Sequence, residues 1–425
     1  MSQQWQRVPF ADLLVDSRDG EWGEGAQSIG LQACDLIRGT DFSSISDRDV
    51  SLPLRWIPDR LVERKKLQAD DIVFEMAGGT AKQSTGRSAF VGRSFLEGRE
   101  RPVLCASFCR HLRLDRERFE PRFIYYLLQA LYGSGYMGVF NIQHTGVSRF
   151  QYTSFKKHTE LRIPYLPEQR RIAAFIVAYD DLIENNRRRI ALLERMAEQL
   201  YREWFVRFRF PGYQQAKFVK GIPAEWNIRG LGELGTYLNG YAFKPSDWFA
   251  EGTPIIKIKE MSGGVTADTP RNPGETIPKK YHFEDGDIIF SWSGTLSVLV
   301  WDQGAGLLNQ HLFKVVPTSG VPSSYLYFSI KTSIPWFESL ATGATMQHIK
   351  RKELDQVKVS LPSDDLLAEF DRHVAPMLTA KIELAKANRL LVASRDLLLP
   401  RLISGKLRVD HLDIQFPPSM QTERA

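Results

Sequence analysis

The sequence has few cysteines and lacks any long apolar run. Three cysteines among 425 residues are too few for a disulfide framework, and their scarcity is typical of a reducing cytoplasm. No apolar run approaches the ~18 to 20 residues that span a bilayer. The opening residues Met1–Arg7 also lack the apolar segment of a signal peptide. We therefore expect a cytoplasmic protein, neither secreted nor embedded in a membrane.

The composition is that of a folded protein with a modest basic excess. Hydrophobic residues make up 43% and charged residues 25%, and the length suggests two or three domains. The net charge of +6 divides as +3 on residues 1–165 and +3 on residues 206–362, while the other segments are neutral. Such an excess is only a weak indication of polyanion binding, but its even division points to two comparable blocks.

A 4-3 repeat of mostly apolar residues predicts a long helix between Glu168 and Phe205. Its seam consists of Ile172, Ile176, Tyr179, Ile183, Asn186, Ile190, Leu193, Ala197, Leu200 and Trp204. A period of 3.5 residues is typical of a coiled coil, and the charged residues between the seam positions suit a solvated face. At ~1.5 Å per residue the helix would be about 57 Å long.

A second, less regular helix is predicted from about residue 363 to residue 403. Its apolar residues keep the same register at Phe370, Val374, Met377, Leu384, Leu391, Leu398 and Leu402. Lys381, Asn388 and Arg395 occupy the rungs between them, and we expect Pro376 to interrupt or kink the helix. Because a polar residue in a seam usually fixes register or partner, Asn186 and Asn388 are candidates for that role.

The order of the segments is globular block, helix, globular block, helix, which indicates a tandem duplication. Asn186-Arg187 in the first helix matches Asn388-Arg389 in the second. The matching segments of the two blocks are Asp70–Phe74 with Gly286–Phe290, Leu112–Leu114 with Leu312–Val315, Phe123–Leu128 with Tyr325–Phe328, Thr145–Gln151 with Thr342–His348, and Lys156-Lys157 with Lys350–Lys352. A repeat of about 200 residues is too long for a solenoid unit.

Several motifs of enzymes occur without the context that their chemistry requires. Gly230–Gly235 matches the dinucleotide fingerprint, but a strand-like segment follows it where a helix should begin. Pro58-Asp59 and Glu63–Lys65 resemble a nuclease core, but the three residues between them are too few for a hairpin. Cys105, Cys109 and His111 alternate along a strand-like run and lack a fourth zinc ligand, so free thiols on one face of a strand are the better interpretation. We therefore predict no catalytic residue and no metal site.

With this order of blocks and helices, the chain resembles the specificity subunit of a type I restriction–modification enzyme. The most similar stretches are Pro167–Ile172 through Glu203–Phe205, Gly286–Phe290 and Leu398–Gly405. The resemblance implies an α+β fold with two similar target-recognition domains, separated by two long helices, conserved in that family, that pair as an antiparallel coiled coil. The implied boundaries are 1–165 and 206–362 for the recognition domains, 166–205 and 363–409 for the helices, and 410–425 for a tail.

The resemblance also implies a function in phage defence without catalysis by this chain. Each recognition domain would read one half of a bipartite target in double-stranded DNA, and the chain would bind no cofactor. Two methyltransferase subunits would use S-adenosylmethionine to methylate adenine at N6. Two motor-nuclease restriction subunits, where present, would cleave DNA with ATP and Mg²⁺.

The physics of DNA recognition supports the same interpretation. Two basic modules on a rigid spacer longer than one turn of B-DNA, about 34 to 36 Å, can contact two separate half-sites. Lys and Arg would bind phosphates, and polar side chains beside glycine would read base edges. The candidates are Lys82, Gln83, Arg87, Asn141, Gln143, His144, Arg149, Lys156 and Lys157 in the first module, and Asn239, Tyr241, Lys244, Lys279, Lys280, Gln347, His348, Lys350 and Arg351 in the second.

Two alternatives remain open on the sequence alone. One is a stand-alone, site-specific DNA nuclease or methyltransferase with a divergent site, which would turn over DNA without any other subunit. The other is a coiled-coil scaffold without DNA binding, which would show no steep dependence of DNA affinity on salt.

Overall fold

A computed structural model of the chain describes residues 5–45, 50–79, 83–144, 147–340, 349 and 351–421. The chain forms two compact units. Unit 1 comprises Met1–Glu184 and Leu391–Ala425, and unit 2 comprises Asn185–Leu390. Among the described residues, no helix is both long and apolar enough to cross a membrane.

The first half of the chain supplies most of unit 1. Its strands are β1 (Gln6–Pro9), β2 (Leu14–Asp19), β3 (Leu31–Ile37), β4 (Leu54–Pro58), β5 (Ile72–Glu75), β6 (Ala77–Gly79), β7 (Ser88–Phe90), β8 (Val103–Cys105), β9 (Cys109–Leu114), β10 (Asn141–His144), β11 (Val147–Phe150) and β12 (Glu160–Ile163). Its helices are α1 (Asp59–Lys65), α2 (Arg93–Leu96), α3 (Pro121–Gly133), α4 (Tyr152–His158) and the long α5 (Leu166–Tyr201), which a π-helical turn extends over Arg202–Val206.

The second half supplies most of unit 2. Its strands are β13 (Phe218–Val219), β14 (Ile222–Pro223), β15 (Asn227–Gly230), β16 (Gly235–Asn239), β17 (Thr253–Ile256), β18 (Arg271–Asn272), β19 (His282–Phe283), β20 (Ile288–Ser291), β21 (Ser297–Val300), β22 (Gly306–Leu308), β23 (Leu312–Pro317) and β24 (Lys358–Leu361). Its helices are α6 (Ile258–Gly263), α7 (Ser323–Leu340), α8 (Arg351–Leu354) and the long α9 (Asp364–Ile403), and α10 (Pro418–Gln421) follows in the tail.

The two units repeat one topology over the described residues. The main sheet has the order β2-β9-β5-β7 in unit 1 and β16-β23-β20-β21 in unit 2. A second sheet contains one parallel pair in each unit, β3 with β8 and β17 with β22. The first strand of each block also pairs with its last, β1 with β12 and β15 with β24. The predicted α+β duplication is therefore confirmed.

A tight turn leads into the central strand β5 and explains the first half of one predicted repeat. The backbone N–H of Gln68 donates to Oδ2 of Asp71 at 2.8 Å, and Asp70 between them has a positive φ of 70°. The buried Asp71 carboxylate then accepts two hydrogen bonds, at 2.9 and 2.7 Å, from the guanidinium of Arg113 on β9. One carboxylate thus closes the turn and ties it to the neighbouring strand.

The same turn recurs before β20 in unit 2. The N–H of Glu284 donates to Oδ2 of Asp287 at 2.9 Å, and the residue with positive φ, 98°, is Gly286. Lys314 on β23 approaches the Asp287 carboxylate at 2.8 Å. The repeated Asp therefore has the same structural task in both units, while its basic partner differs.

The helix α9 runs without interruption through Pro376, so the predicted interruption is wrong. Pro376 is exposed, whereas Val374 is buried and Met377 packs against the same core cluster. Proline removes one main-chain hydrogen bond. Burial of the apolar side chains on either side of it holds the helix together at this point.

The long helices run antiparallel in unit 2. The Asn186 side-chain amide donates to the side-chain oxygen of Asn388 at 2.9 Å, and the rings of Trp204 and Phe370 lie 5.9 Å apart. Later residues of α5 thus meet earlier residues of α9. Every predicted seam residue of α5 and of its π-helical extension is buried or half-buried.

In unit 1 the start of α5 packs with the end of α9 and with the tail. Arg395 and Asp180 form an ion pair at 2.6 Å. The tail adds a hydrogen bond of 2.8 Å from the Ser419 hydroxyl to Asp181. Val409 and Met420 are buried in the same core cluster as Ile172, so residues 404–421 contribute to the core of unit 1.

Candidate nucleic-acid interface

A two-stranded ribbon in unit 1 carries several of the predicted DNA contacts. Strands β10 and β11 pair antiparallel, and Ile142 lies directly opposite Arg149. Both of these side chains are exposed, as is Gln143. Strand β11 also pairs with β6, which joins the ribbon to the rest of the unit. An antiparallel ribbon has a width that the major groove of B-DNA can accommodate.

Asn141 holds the base of this ribbon and is half-buried. Its side-chain oxygen accepts hydrogen bonds from the Thr85 N–H and the Ser148 hydroxyl, both at 3.0 Å. Its amide nitrogen donates to the Met137 carbonyl at 2.8 Å. The structure thus gives Asn141 a positioning task in the ribbon, which its sequence neighbours did not indicate.

Arg87 is bound within unit 1. Its guanidinium forms a two-pronged ion pair with the buried Glu75 and donates to the Gly39 carbonyl at 3.0 Å. The hydrogen bonds that Arg87 donates to the Glu75 carboxylate raise the pKa of Arg87. Since Glu75 is almost completely buried, the ion pair with Arg87 compensates its charge.

The remaining candidates of the first module lie on two short elements. Gln83 is exposed in the segment before β7. Lys156 is half-buried and Lys157 is exposed in the last turn of α4. There the positive charge of lysine interacts favourably with the negative end of the helix dipole.

Other candidates fall outside what the structure describes. Lys82, Gln347, His348 and Lys350 lie beyond the described residues, and His144 and Arg351 are described for their backbone alone. The repeated segment Thr342–His348 is therefore a prediction without structural detail.

In unit 2 the structure brings together two predicted clusters that are far apart in sequence. The rings of Tyr241 and Tyr281 meet edge to face with centroids 5.5 Å apart. Lys279 and Lys280 directly precede Tyr281 and are exposed, and the Lys280 ammonium lies 4.9 Å from the centre of its ring. Asn239 and Lys244, which flank Tyr241 in the sequence, are also exposed.

An exposed aromatic pair that was not predicted as part of the site follows Lys244 closely in the sequence. Trp248 and Phe249 leave about half of their surface open to solvent, and the Lys257 ammonium lies 4.2 Å from the Trp248 ring centre. Aromatic side chains beside lysine suit base stacking and cation–π contacts. The position of Trp248, four residues after Lys244, was a signal that could have identified it.

The cysteines occupy different strands from the single one that we predicted. Cys105 ends β8 and Cys109 begins β9, and the Cys109 N–H closes a turn on the Ala106 carbonyl at 2.8 Å. The thiols are free and buried, and burial raises the pKa of Cys105 to about 12. His111 is buried and its Nε2 lies 3.2 Å from Asp16. No group of three metal-binding side chains exists among the described residues.

The two rejected enzyme motifs have structural explanations. Gly230–Gly235 spans the end of β15, a 3₁₀ turn and the start of β16, so a strand follows where a cofactor-binding helix would be needed. Glu233 closes that turn by accepting the Gly230 N–H at 2.8 Å. Asp59 and Glu63 lie one turn apart on the helix α1, not on paired strands.

The two repeats match a known family of domains. The family model described as the type I restriction modification DNA specificity domain matches residues 61–195 and again residues 223–366, about two thirds of the chain. The chain belongs to this family. The first matched region covers part of the first block and most of α5. The second covers most of the second block and ends within the first turn of α9.

Relatives and a solved structure agree with this assignment. The chain is 25% identical over 310 residues to the type I restriction enzyme MjaIX specificity subunit of Methanocaldococcus jannaschii, covering 68% of this chain and 70% of the relative. It is 22% identical over 432 residues to the putative MjaX specificity subunit of the same organism, covering 96% and 94%. The crystal structure of an S subunit from M. genitalium shares the fold, with a TM-score of 0.56, 16% identity and coverage of 94% and 96%.

Proposed function

We propose that this chain is the DNA sequence-recognition subunit of a type I restriction–modification complex. The part of each unit outside the long helices, here called its recognition domain, reads one half of a bipartite DNA target. The paired helices set the distance between the half-sites. The observation that carries the proposal is the repetition of one topology in both units within a family of DNA specificity domains.

The exposed surfaces of the recognition domains support DNA contact. In unit 1 the ribbon β10–β11 presents Arg149 and Gln143, and in unit 2 the surface around Tyr241 presents Lys244, Lys279 and Lys280. Lysine and arginine at these places supply phosphate contacts whose affinity falls as salt rises. Polar side chains on the same surfaces discriminate base edges.

The exposed faces of the long helices support docking of methyltransferase subunits. Leu182 and Leu397 are exposed in unit 1, and Leu192, Met196 and Leu390 are exposed in unit 2. Leucine on the solvent side of a helix pair suits packing against helices of another protein. Partner subunits supply the chemistry with S-adenosylmethionine and, where restriction subunits are present, with ATP and Mg²⁺, while this chain remains non-catalytic.

A substitution at Leu397 tests the docking face. We expect Leu397→Glu to weaken co-purification with the methyltransferase at least tenfold, because it places a charge in an apolar contact. Leu397→Met is the matched control and should retain binding, since it keeps the apolar volume. Equal binding by both variants would exclude this face as the docking site.

The decisive experiment for the function is methylome sequencing of the host strain with and without the gene. The proposal predicts that a bipartite motif with methylated adenine disappears when the gene is deleted. An unchanged methylome, in a strain where the neighbouring methyltransferase is expressed and active on a control substrate, would contradict it.

A second experiment separates the proposal from its alternatives. Purified chain alone, incubated with DNA, Mg²⁺ and S-adenosylmethionine, should neither cut nor methylate, whereas turnover would favour a stand-alone enzyme. Affinity of the assembled complex for the motif should fall steeply between low and moderate salt. A flat dependence would favour a scaffold that does not contact DNA.

A further inference from the structure

A buried lysine in unit 2 joins three parts of the unit. Lys381 projects from α9, and only 5% of its surface is exposed. Its ammonium contacts Glu194 of α5 at 2.7 Å, Asp302 at 3.4 Å and the Val300 carbonyl at 3.3 Å. Val300 ends β21, the edge strand of the main sheet, and Asp302 follows it. One cation therefore links the recognition domain to both long helices.

An aspartate in unit 1 makes the corresponding link with the opposite charge. Asp180 of α5 accepts a hydrogen bond from the Tyr126 hydroxyl on α3 and forms an ion pair with Arg395 of α9 at 2.6 Å. The Tyr126 ring is buried against the main sheet. Here too one side chain contacts the recognition domain and both helices.

Lys381 is buried, whereas Glu194, Asp302, Asp180 and Arg395 are partly exposed. We expect these contacts to constrain orientation more than they add stability. Replacement of a buried ion pair by apolar groups of similar size is often neutral for stability, whereas the pair itself demands one geometry. Apolar packing has no preferred direction and allows small rotations. Burial raises the pKa of Asp302, and the neighbouring Lys381 ammonium opposes that shift.

We propose that Lys381 and Asp180 are positioning residues that hold each recognition domain at a fixed angle to the helix pair and so make the complex selective for spacer length in its DNA target. The inference rests on the proposed function. One base pair more or less turns a half-site by about 34 to 36° around the duplex. A complex whose recognition domains are held rigidly can bind both rotated half-sites only by deforming the DNA, which costs free energy.

The test uses the full chain in complex with its methyltransferase and duplexes that carry the motif found by methylome sequencing. The duplexes have the natural spacer or a spacer one base pair longer or shorter. Lys381→Met removes the cation, and Asp302→Asn is a milder second variant of the same contact. The matched control is Lys386→Met, because Lys386 lies on the same helix and its ion pair with Glu383 of that helix is at the surface.

Unit 1 is tested in the same way through Tyr126. Tyr126→Phe removes only the hydroxyl that donates to Asp180 and leaves the buried ring in place. Tyr165→Phe is the matched control, since Tyr165 is exposed in the same unit.

We expect Lys381→Met, Asp302→Asn and Tyr126→Phe to bind the natural duplex within about threefold of the unmodified complex while losing about tenfold of the discrimination against altered spacers. The two controls should retain full discrimination. Unchanged discrimination in all three variants would overturn the inference. If the unmodified complex does not bind the bipartite duplex at all, the proposed function fails first, and the two failures are thereby distinguished.

Discussion

At the scale of single residues, the asparagine pair in the helix seam has a measurable energetic signature. Asn186 is buried and donates to Asn388. We expect Asn388→Leu to destabilise unit 2 by about 1 to 3 kcal/mol, because it leaves the Asn186 amide buried without this acceptor. The double variant Asn186→Leu, Asn388→Leu should recover most of that loss. A double-mutant cycle by urea unfolding followed in unit 2 measures the coupling.

An additive cycle would contradict this expectation. The stabilities of the two single variants would then simply sum, and the hydrogen bond would have no part in fixing the seam. A coupling of about 1 kcal/mol or more would instead assign the pair the register role that its place in the repeat predicts.

His111 makes the stability of unit 1 sensitive to pH. Burial lowers its pKa below the ordinary value of 6.5, although the hydrogen bond with Asp16 opposes that effect. The unfolded chain therefore binds a proton more readily than the folded one, and stability present above about pH 6.5 is lost as the pH falls below it. His111→Gln should reduce the fall in melting temperature that the unmodified chain shows between pH 7.5 and pH 5.5.

His411 provides the matched control for this titration. Its side chain is largely exposed in the same unit, so His411→Gln should leave the pH dependence as it is. The same slope in the His111 variant and in the unmodified chain would assign the acid sensitivity to other groups.

Residue roles were the least predictable part of the site. Arg87 and Asn141 lie in polar, glycine-rich segments that are typical of binding loops, yet their partners Glu75 and Thr85 are chosen by tertiary contacts. The turn between Cys105 and Cys109 has no glycine or proline to mark it, so the sequence suggested one strand in place of two.

At the scale of elements, the seam of α5 should be intolerant of charge. Ile183 is buried, and Ile183→Asp is expected to cost several kcal/mol because an unpaired carboxylate enters an apolar interface. Loss of helical circular dichroism at a lower temperature, together with loss of methyltransferase binding on a sizing column, checks the expectation. Ala191→Asp, at an exposed position of the same helix, is the control.

A cooperative melt and a monodisperse complex for Ile183→Asp would count against the seam. The parallel behaviour of Ala191→Asp matters here, since a defect shared by both variants would reflect helix propensity and not the interface.

The long helices were predictable because a period of 3.5 residues is visible locally. The pairing of Lys381 with Glu194 and of Arg395 with Asp180 was not, because it depends on the antiparallel register between distant segments. Pro376 is a second case in which tertiary packing, and not the local sequence, decides the structure. Its local preference for breaking a helix is overridden by the packing of Val374, which is buried, and of Met377, which is partly buried against the same core.

At the scale of the whole molecule, the tail is expected to be necessary for one unit and dispensable for the other. Val409 and Met420 are buried in the core of unit 1, and Ser419 bonds to Asp181. Deletion of residues 404–425 should therefore lower protection from hydrogen exchange in β1 and α3, while β20 and β23 of unit 2 keep theirs. Equal loss in both units, or no loss in unit 1, would contradict this assignment of the tail.

The duplication itself could be predicted from short matched segments, since Asp71 and Asp287 close the same turn and the strands after them have equivalent places in their sheets. The details of the reading surfaces could not, because the two blocks diverge in their loops. Trp248 and Phe249 were missed among these loops, although the position of Trp248 four residues after Lys244 was a usable signal.

One unit is continuous in sequence and the other is discontinuous, which determines the order in which the two units can fold during translation. Residues 185–390 are complete as soon as they have emerged, so the second half can close its core during translation. The first half is synthesised earlier, yet it waits for residues 391–425 to supply the end of α9 and the buried tail. The part synthesised first therefore completes its core only after residues 391–425 have been made.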